Sequence, residues 1–154
     1  MSSYAHTQRG WIHWICYIAA VVMFAGSAAT GGLGSPVPGI VLLASGALCA
    51  VLGLGVQALT VSDGGDRLLV AFGPLPLFRT SISYAEIAEV TVGRTRWIDG
   101  WGLHYVPGRG WTYNINGWDC VEIRRSNGRL LRVGTDEPQR LASVIRDRIS
   151  SRPE

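Results

Sequence analysis

The chain has 154 residues, 47% of them apolar and only 16% charged, and its formal charge of +3 comes from fourteen arginines with no lysine. Beyond Thr60, thirteen arginines against eleven acids leave about +2, too weak and mixed a field to mark a nucleic-acid binder. Three cysteines make no disulfide framework, and no pair has the spacing of a metal knuckle or redox motif. Cys16, Cys49 and Cys120 read as small packing residues, and neither a metal nor a cofactor is expected.

All eleven acids lie at or beyond Asp63, and Arg9 is the only formal charge before it. Residues 1–10 read as a cytoplasmic tail. Two uncharged runs follow, "WIHWICYIAAVVMFAGSAA" at 11–29 and "IVLLASGALCAVLGLGVQAL" at 40–59. At 1.5 Å per residue each reaches roughly 28–30 Å, the thickness of a bilayer core. A cleavable signal peptide competes for the first run, but Trp11, His13 and Trp14 make a poor start to an apolar h-region. Trp11, Trp14 and Tyr17 suit an interfacial belt better, and His13, near the edge, reads as structural. The linker "TGGLGSPVPG" is too short for a domain, so the runs predict a two-span transmembrane hairpin. It carries no arginine, whereas Arg9, Arg67 and Arg79 lie on the other side, which predicts a cytoplasmic domain at 60–154. Gly46, Ala50 and Gly53 recur at i, i+4, i+7 and smooth one face of the second span. That face packs on the first span or, alternatively, forms a homo-oligomer contact.

Past Thr60 the pattern shortens to strands. "RLLVAFG" (67–73) and "LFRTSIS" (77–83), joined by "PLP", predict an antiparallel pair. "YAEIAEVTVGR" (84–94) fits a short turn passing into a strand. "GLHYV" and "WTYNI" flank "PGRG" as a hairpin. In "VEIRRSNGRLLRV" a plain two-residue Asn127-Gly128 turn would put the apolar sets on opposite faces. A three-residue loop, Ser126-Asn127-Gly128 with Gly128 left-handed, instead pairs Ile123 with Leu131, Val121 with Val133 and Glu122 with Arg132. "TDEPQRLASVIRDRIS" then predicts a closing amphipathic helix, capped by Asp136 or Thr135, with Pro138 in its first turn and Leu141, Val144, Ile145 and Ile149 inward.

"SISYAEIAEVTV" and "GWDCVEIRRSNGRLLRVGTDEPQRLASVIRDRI" resemble, respectively, an inner stretch and the closing hairpin-and-helix of bacterial pleckstrin-homology-like (PH-like) membrane proteins. The resemblance covers roughly residues 66–150. It implies an α+β PH-like fold, an antiparallel sheet or partly closed barrel of six or seven strands with one C-terminal helix. It also implies a membrane-tethered scaffold or binding module, and brings no catalytic motif with it.

The stretch 97–118 holds four of the six tryptophans. Leu103, Tyr105, Trp111, Tyr113 and Ile115 fall on matching strand faces and are expected in the core. Trp97 and Trp101 flank Asp99-Gly100 in a loop, with Arg94, Arg96 and Arg109 nearby. Indole at an interface beside guanidinium on phosphate suits anionic lipid headgroups, so Arg94, Arg96, Trp97, Trp101 and Arg109 are the expected contact residues. A tether of six or seven residues, Thr60 to Asp66, would hold them there. Two other readings are a ligand receptor with a Trp/Arg-lined cleft at Trp97, Trp101 and His104, and an enzyme built on Cys120 and His104. The expected partners are the bilayer, a membrane protein, or a second copy.

Overall fold

The computed structural model describes residues 4–30, 36–95, 102–107 and 110–151. Strand β1 (Ala5–Arg9) comes first, followed by helices α1 (Ile12–Ala29) and α2 (Val37–Gly55). Then come β2 (Ala58–Asp63), β3 (Arg67–Gly73) and β4 (Arg79–Ser83), and a single 3-10 turn at Tyr84–Glu86. Strands β5 (Ile87–Arg94), β6 (Gly102–Val106), β7 (Gly110–Asn114), β8 (Asp119–Arg125) and β9 (Leu130–Gly134) precede the closing helix α3 (Pro138–Ser150).

Both long helices are apolar enough to cross a bilayer. Trp14, Ile18, Val21 and Val22 on α1, and Ile40, Val41 and Leu48 on α2, are exposed on the outside of the pair. Between the helices the approach is close. A Cβ on Gly46 would stand 2.7 Å from the Phe24 ring, and one on Gly53 would stand 2.5 Å from that of Tyr17. Gly46 and Gly53 are buried and Ala50 half-buried, so this face packs on α1, the first of its two expected uses.

Helix α2 begins three residues before the expected span and ends four residues before it. The reason is β2: Leu59, Val61 and Asp63 alternate inward, and the backbone from Ala58 pairs with β1 on one side and β3 on the other. The ten residues read as a tail supply β1, whose Arg9 lies opposite Ala58. No tether exists. The helical hairpin is an insertion between two neighbouring strands of one sheet, with Gly10 N–H donating to the Gln57 carbonyl at its root.

Among the described residues there are two sheets, β1-β2-β3-β4 and β5-β8-β9-β7-β6, which do not close into a barrel. This is nine strands rather than six or seven, and β7 runs parallel to β9. The β6–β7 hairpin adds to the far side of β9, extending the sheet rather than closing it. The last hairpin has the expected register, with Ile123 opposite Leu131, Val121 opposite Val133 and Glu122 opposite Arg132. Gly128 sits at φ +79°, a value that favours glycine. Helix α3 packs on β5, β8 and the 3-10 turn, burying Leu141, Ala142 and Ile145. Thr135, in front of it, accepts the Glu137 N–H through Oγ1 at 3.1 Å.

Candidate functional site: an open cleft on the second sheet

Register across the five strands lines up two transverse rows on the inner face. One runs Leu103, Tyr113, Val133, Val121, Val92, and the other runs Tyr105, Trp111, Leu131, Ile123, Val90. In the second row burial falls away toward the β6 edge. Val90, Ile123 and Leu131 are buried, while Trp111 is 48% and Tyr105 57% exposed. Tyr113 and Ile115 join the core as expected, and Leu103 packs against it. Trp111 and Tyr105 do not. Their strand parity is right, but the first sheet does not reach far enough to cover them.

What remains is a cleft of about 790 Å³ that opens at this corner. The Tyr105 and Trp111 rings lie 5.5 Å apart and tilted by 58° on one wall. Leu131 and Tyr113 contribute apolar surface, Thr80 of β4 reaches in from the other sheet, and the β8–β9 hairpin adds Arg125, Asn127 and Arg129. Tyr113 is fixed by stacking on Phe72 at 6.0 Å. Arg125 shares the strand parity of Val121 and Ile123, and it is oriented by Glu86 Oε2 at 3.6 Å. The hairpin tip is tied to that corner by Ser126, whose N–H and hydroxyl both donate to the Glu86 carbonyl at 2.8 and 3.0 Å. Gly110 at the cleft floor has φ +80°, and a Cβ there would run into the Leu130 carbonyl oxygen. Only glycine lets β7 come this close to β9. An aromatic pair facing two guanidinium groups and an amide can hold a flat or apolar group with an anionic end.

A second polar cluster ties the first sheet to α3. Asp63 accepts from the Gly65 N–H at 2.9 Å, from Tyr84 Oη at 3.1 Å and from Arg148 Nε at 2.9 Å, with Arg148 Nη2 on the same oxygen. Burial opposes the Asp63 charge, yet these hydrogen bonds outweigh it and hold the carboxyl below its ordinary value. Burial and then the bond to Asp63 push the Tyr84 phenol up. This cluster joins β2, the 3-10 turn and α3. On the β1 side, His6 Nε2 lies 2.5 Å from Asp136, and burial, then Glu137, raises the Tyr4 phenol to about 12.

The expected contact residues divide. Arg94 is exposed at the end of β5 and paired with Asp119 at 3.2 Å. Arg96, Trp97, Trp101 and Arg109 lie outside the described residues. Trp118, the fourth tryptophan of this stretch, is 39% exposed.

The Cys120–His104 pairing is not assembled. Cys120 on β8 and His104 on β6 are separated by β9 and β7, about 14 Å of sheet at ~4.8 Å per strand, and Cys120 is wholly buried. Among the described residues no group of three or more His, Cys, Asp or Glu side chains could hold a metal ion.

Sequence reasoning missed Arg125 and Arg129 as site residues. One signal for Arg125 was available: the correct hairpin register already puts a cation at the end of an apolar face, which happens where that face meets solvent. No protein-family model and no curated protein matches the chain, and the described residues show the general α+β layout: two sheets, a pair of long apolar helices and a C-terminal helix.

Proposed function

We propose that this chain is an integral membrane protein of the bacterial inner membrane, in which a non-catalytic PH-like domain serves as a binding module at the cytoplasmic surface. The observation that carries this is the insertion of the helical hairpin between β1 and β2. Two helices with apolar outer faces rise from adjacent strands of one sheet, so the domain is held rigidly where they leave it. The arginine-free linker between the helices, against Arg9, Arg67 and Arg79 on the domain side, supports the cytoplasmic placement. The cleft at Tyr105 and Trp111 is the surface offered to a partner: a membrane protein, or a second copy of the chain.

The aromatic pair facing Arg125 and Arg129 favours a second reading, a receptor for a small anionic ligand. Two measurements separate the readings. The full chain is released from lipid nanodiscs into a mass spectrometer, and a photo-crosslinking residue is placed at Tyr105 in cell membranes. A small mass retained by the native chain and lost in Trp111→Ala supports the receptor. An empty cleft with one discrete protein adduct at position 105 supports the scaffold. The absence of both a retained mass and an adduct overturns the binding role. Membrane anchoring itself requires that the chain resist alkaline carbonate extraction.

A further inference from the structure

The end of the domain from which the helices emerge carries features that the cleft does not use. Arg9, Ala58 and Gly73 are in register across β1, β2 and β3, so the β3–β4 loop, Pro74 to Phe78, sits beside the root of the hairpin. Its base is sealed by Phe72 N–H donating to the Phe78 carbonyl at 2.8 Å. Its tip is Leu75-Pro76-Leu77, with Leu75 40% and Leu77 49% exposed. Leu77 lies against the last turn of α2, where a Cβ on Gly55 would stand 2.9 Å from it. Trp118 is held at this end by its carbonyl, which accepts from both the N–H and the hydroxyl of Thr95 at 2.7 and 3.0 Å. Arg9 lines a recess with Asn116, Gly117 and Asp119. Arg79 follows the loop directly.

We infer that this rim, the Leu75–Leu77 tip with Arg9, Arg79 and Trp118 around it, lies in the anionic headgroup layer of the bilayer that the hairpin crosses. This rests on the reading that the hairpin is transmembrane. The rim is continuous with the helices, since Leu77 touches α2 where it leaves the domain. Two exposed leucines on a proline-braced tip gain by leaving water, and an indole beside them suits the interface. Charge agrees: this end carries Arg9, Arg79 and Arg94 against Asp119 and Asp136, the two acids that line the recess beside Arg9, and arginines near an anionic surface add attraction. The rim therefore sets the height and tilt of the domain, whereas the cleft is held clear at another corner.

The test uses the full chain in nanodiscs of phosphatidylcholine with phosphatidylglycerol, with Cys16 and Cys49 replaced by serine and the buried Cys120 kept. A nitroxide is attached in turn at Val22→Cys on the outer face of α1, Leu75→Cys on the tip, and Leu69→Cys on β3 away from the rim. Accessibility to a water-soluble nickel relaxant and to oxygen is then read by electron paramagnetic resonance. The expected order of nickel accessibility is Leu69 above Leu75 above Val22, with the tip several-fold less accessible than Leu69. Adding Arg79→Glu is expected to raise accessibility at position 75. A tip as accessible as Leu69 while Val22 stays in hydrocarbon overturns this inference alone. A water-accessible Val22 overturns the transmembrane reading, and this inference with it.

Discussion

The two hairpins of the second sheet, β8–β9 and β6–β7, have the same apolar alternation and different fates. In β8–β9, Val121, Ile123, Leu131 and Val133 are all buried, beneath the first sheet and beside α3. In β6–β7 the same inward parity carries Tyr113 into the core and leaves Tyr105 and Trp111 in an open cleft. Alternation reports which face a residue takes. It says nothing about how far the opposing layer extends, and that extent separates a core aromatic from a binding aromatic.

The largest expected effect is at the covered hairpin. Ile123 is wholly buried in mid-row, and Ile123→Ala should cost about 2–5 kcal/mol, read as a lowered midpoint in thermal unfolding of the detergent-solubilised chain. Next is the seam where the second hairpin joins the first. Gly110→Ala forces a Cβ toward the Leu130 carbonyl at a positive φ, a strain of about 1–3 kcal/mol before any clash is relieved. Hydrogen exchange should show protection lost first in β6 and β7 while β8 holds. Equal loss across the sheet would mean that the two hairpins are not separable.

How much of this was legible from the residues follows the same division. The β8–β9 register was readable because only one loop length keeps Val121, Ile123, Leu131 and Val133 on one face. The two long apolar helices were readable because uncharged runs of that length leave no polar face to break them. Strand β1 was not, because Ala5 to Arg9 is a short polar segment whose partner, Ala58 to Asp63, lies beyond two helices. Long-range pairing of that kind leaves no local periodicity. The cleft was missed for a related reason: Trp111 has the parity of a core residue, and only the tertiary arrangement shows that its cover is absent.

Removing the clamp that holds α3 over the covered end should have a smaller effect. Asp63→Asn leaves the Arg148 guanidinium facing an uncharged amide, a loss of about 1–3 kcal/mol. The pH dependence has a definite sign. The Asp63 carboxyl is held below its ordinary value of 3.8, so its contribution is fully present above that value and is lost as pH falls through the lower, folded-state one. The parent chain should therefore lose stability on acidification below about pH 4, and the Asp63→Asn variant should show a shallower acid limb. Parallel acid titrations of far-UV circular dichroism compare the two, and identical limbs would remove Asp63 as a source of acid sensitivity.

The smallest stability effect is expected where the largest side chain lies. Trp111→Ala removes an indole that is nearly half exposed and packs on Tyr105, so the midpoint should move by the equivalent of about 1 kcal/mol. Binding should respond oppositely. The indole forms a wall of the cleft with Tyr105, and truncating an aromatic anchor of this kind costs binding on the order of 2 kcal/mol or more, roughly thirtyfold in affinity or crosslinking yield. Arg129→Ala, at the exposed hairpin tip, should weaken the same partner less and leave the fold unchanged. A Trp111→Ala chain that unfolds like Ile123→Ala would show that the first sheet does cover this corner in the membrane, and the contrast between the two hairpins would disappear.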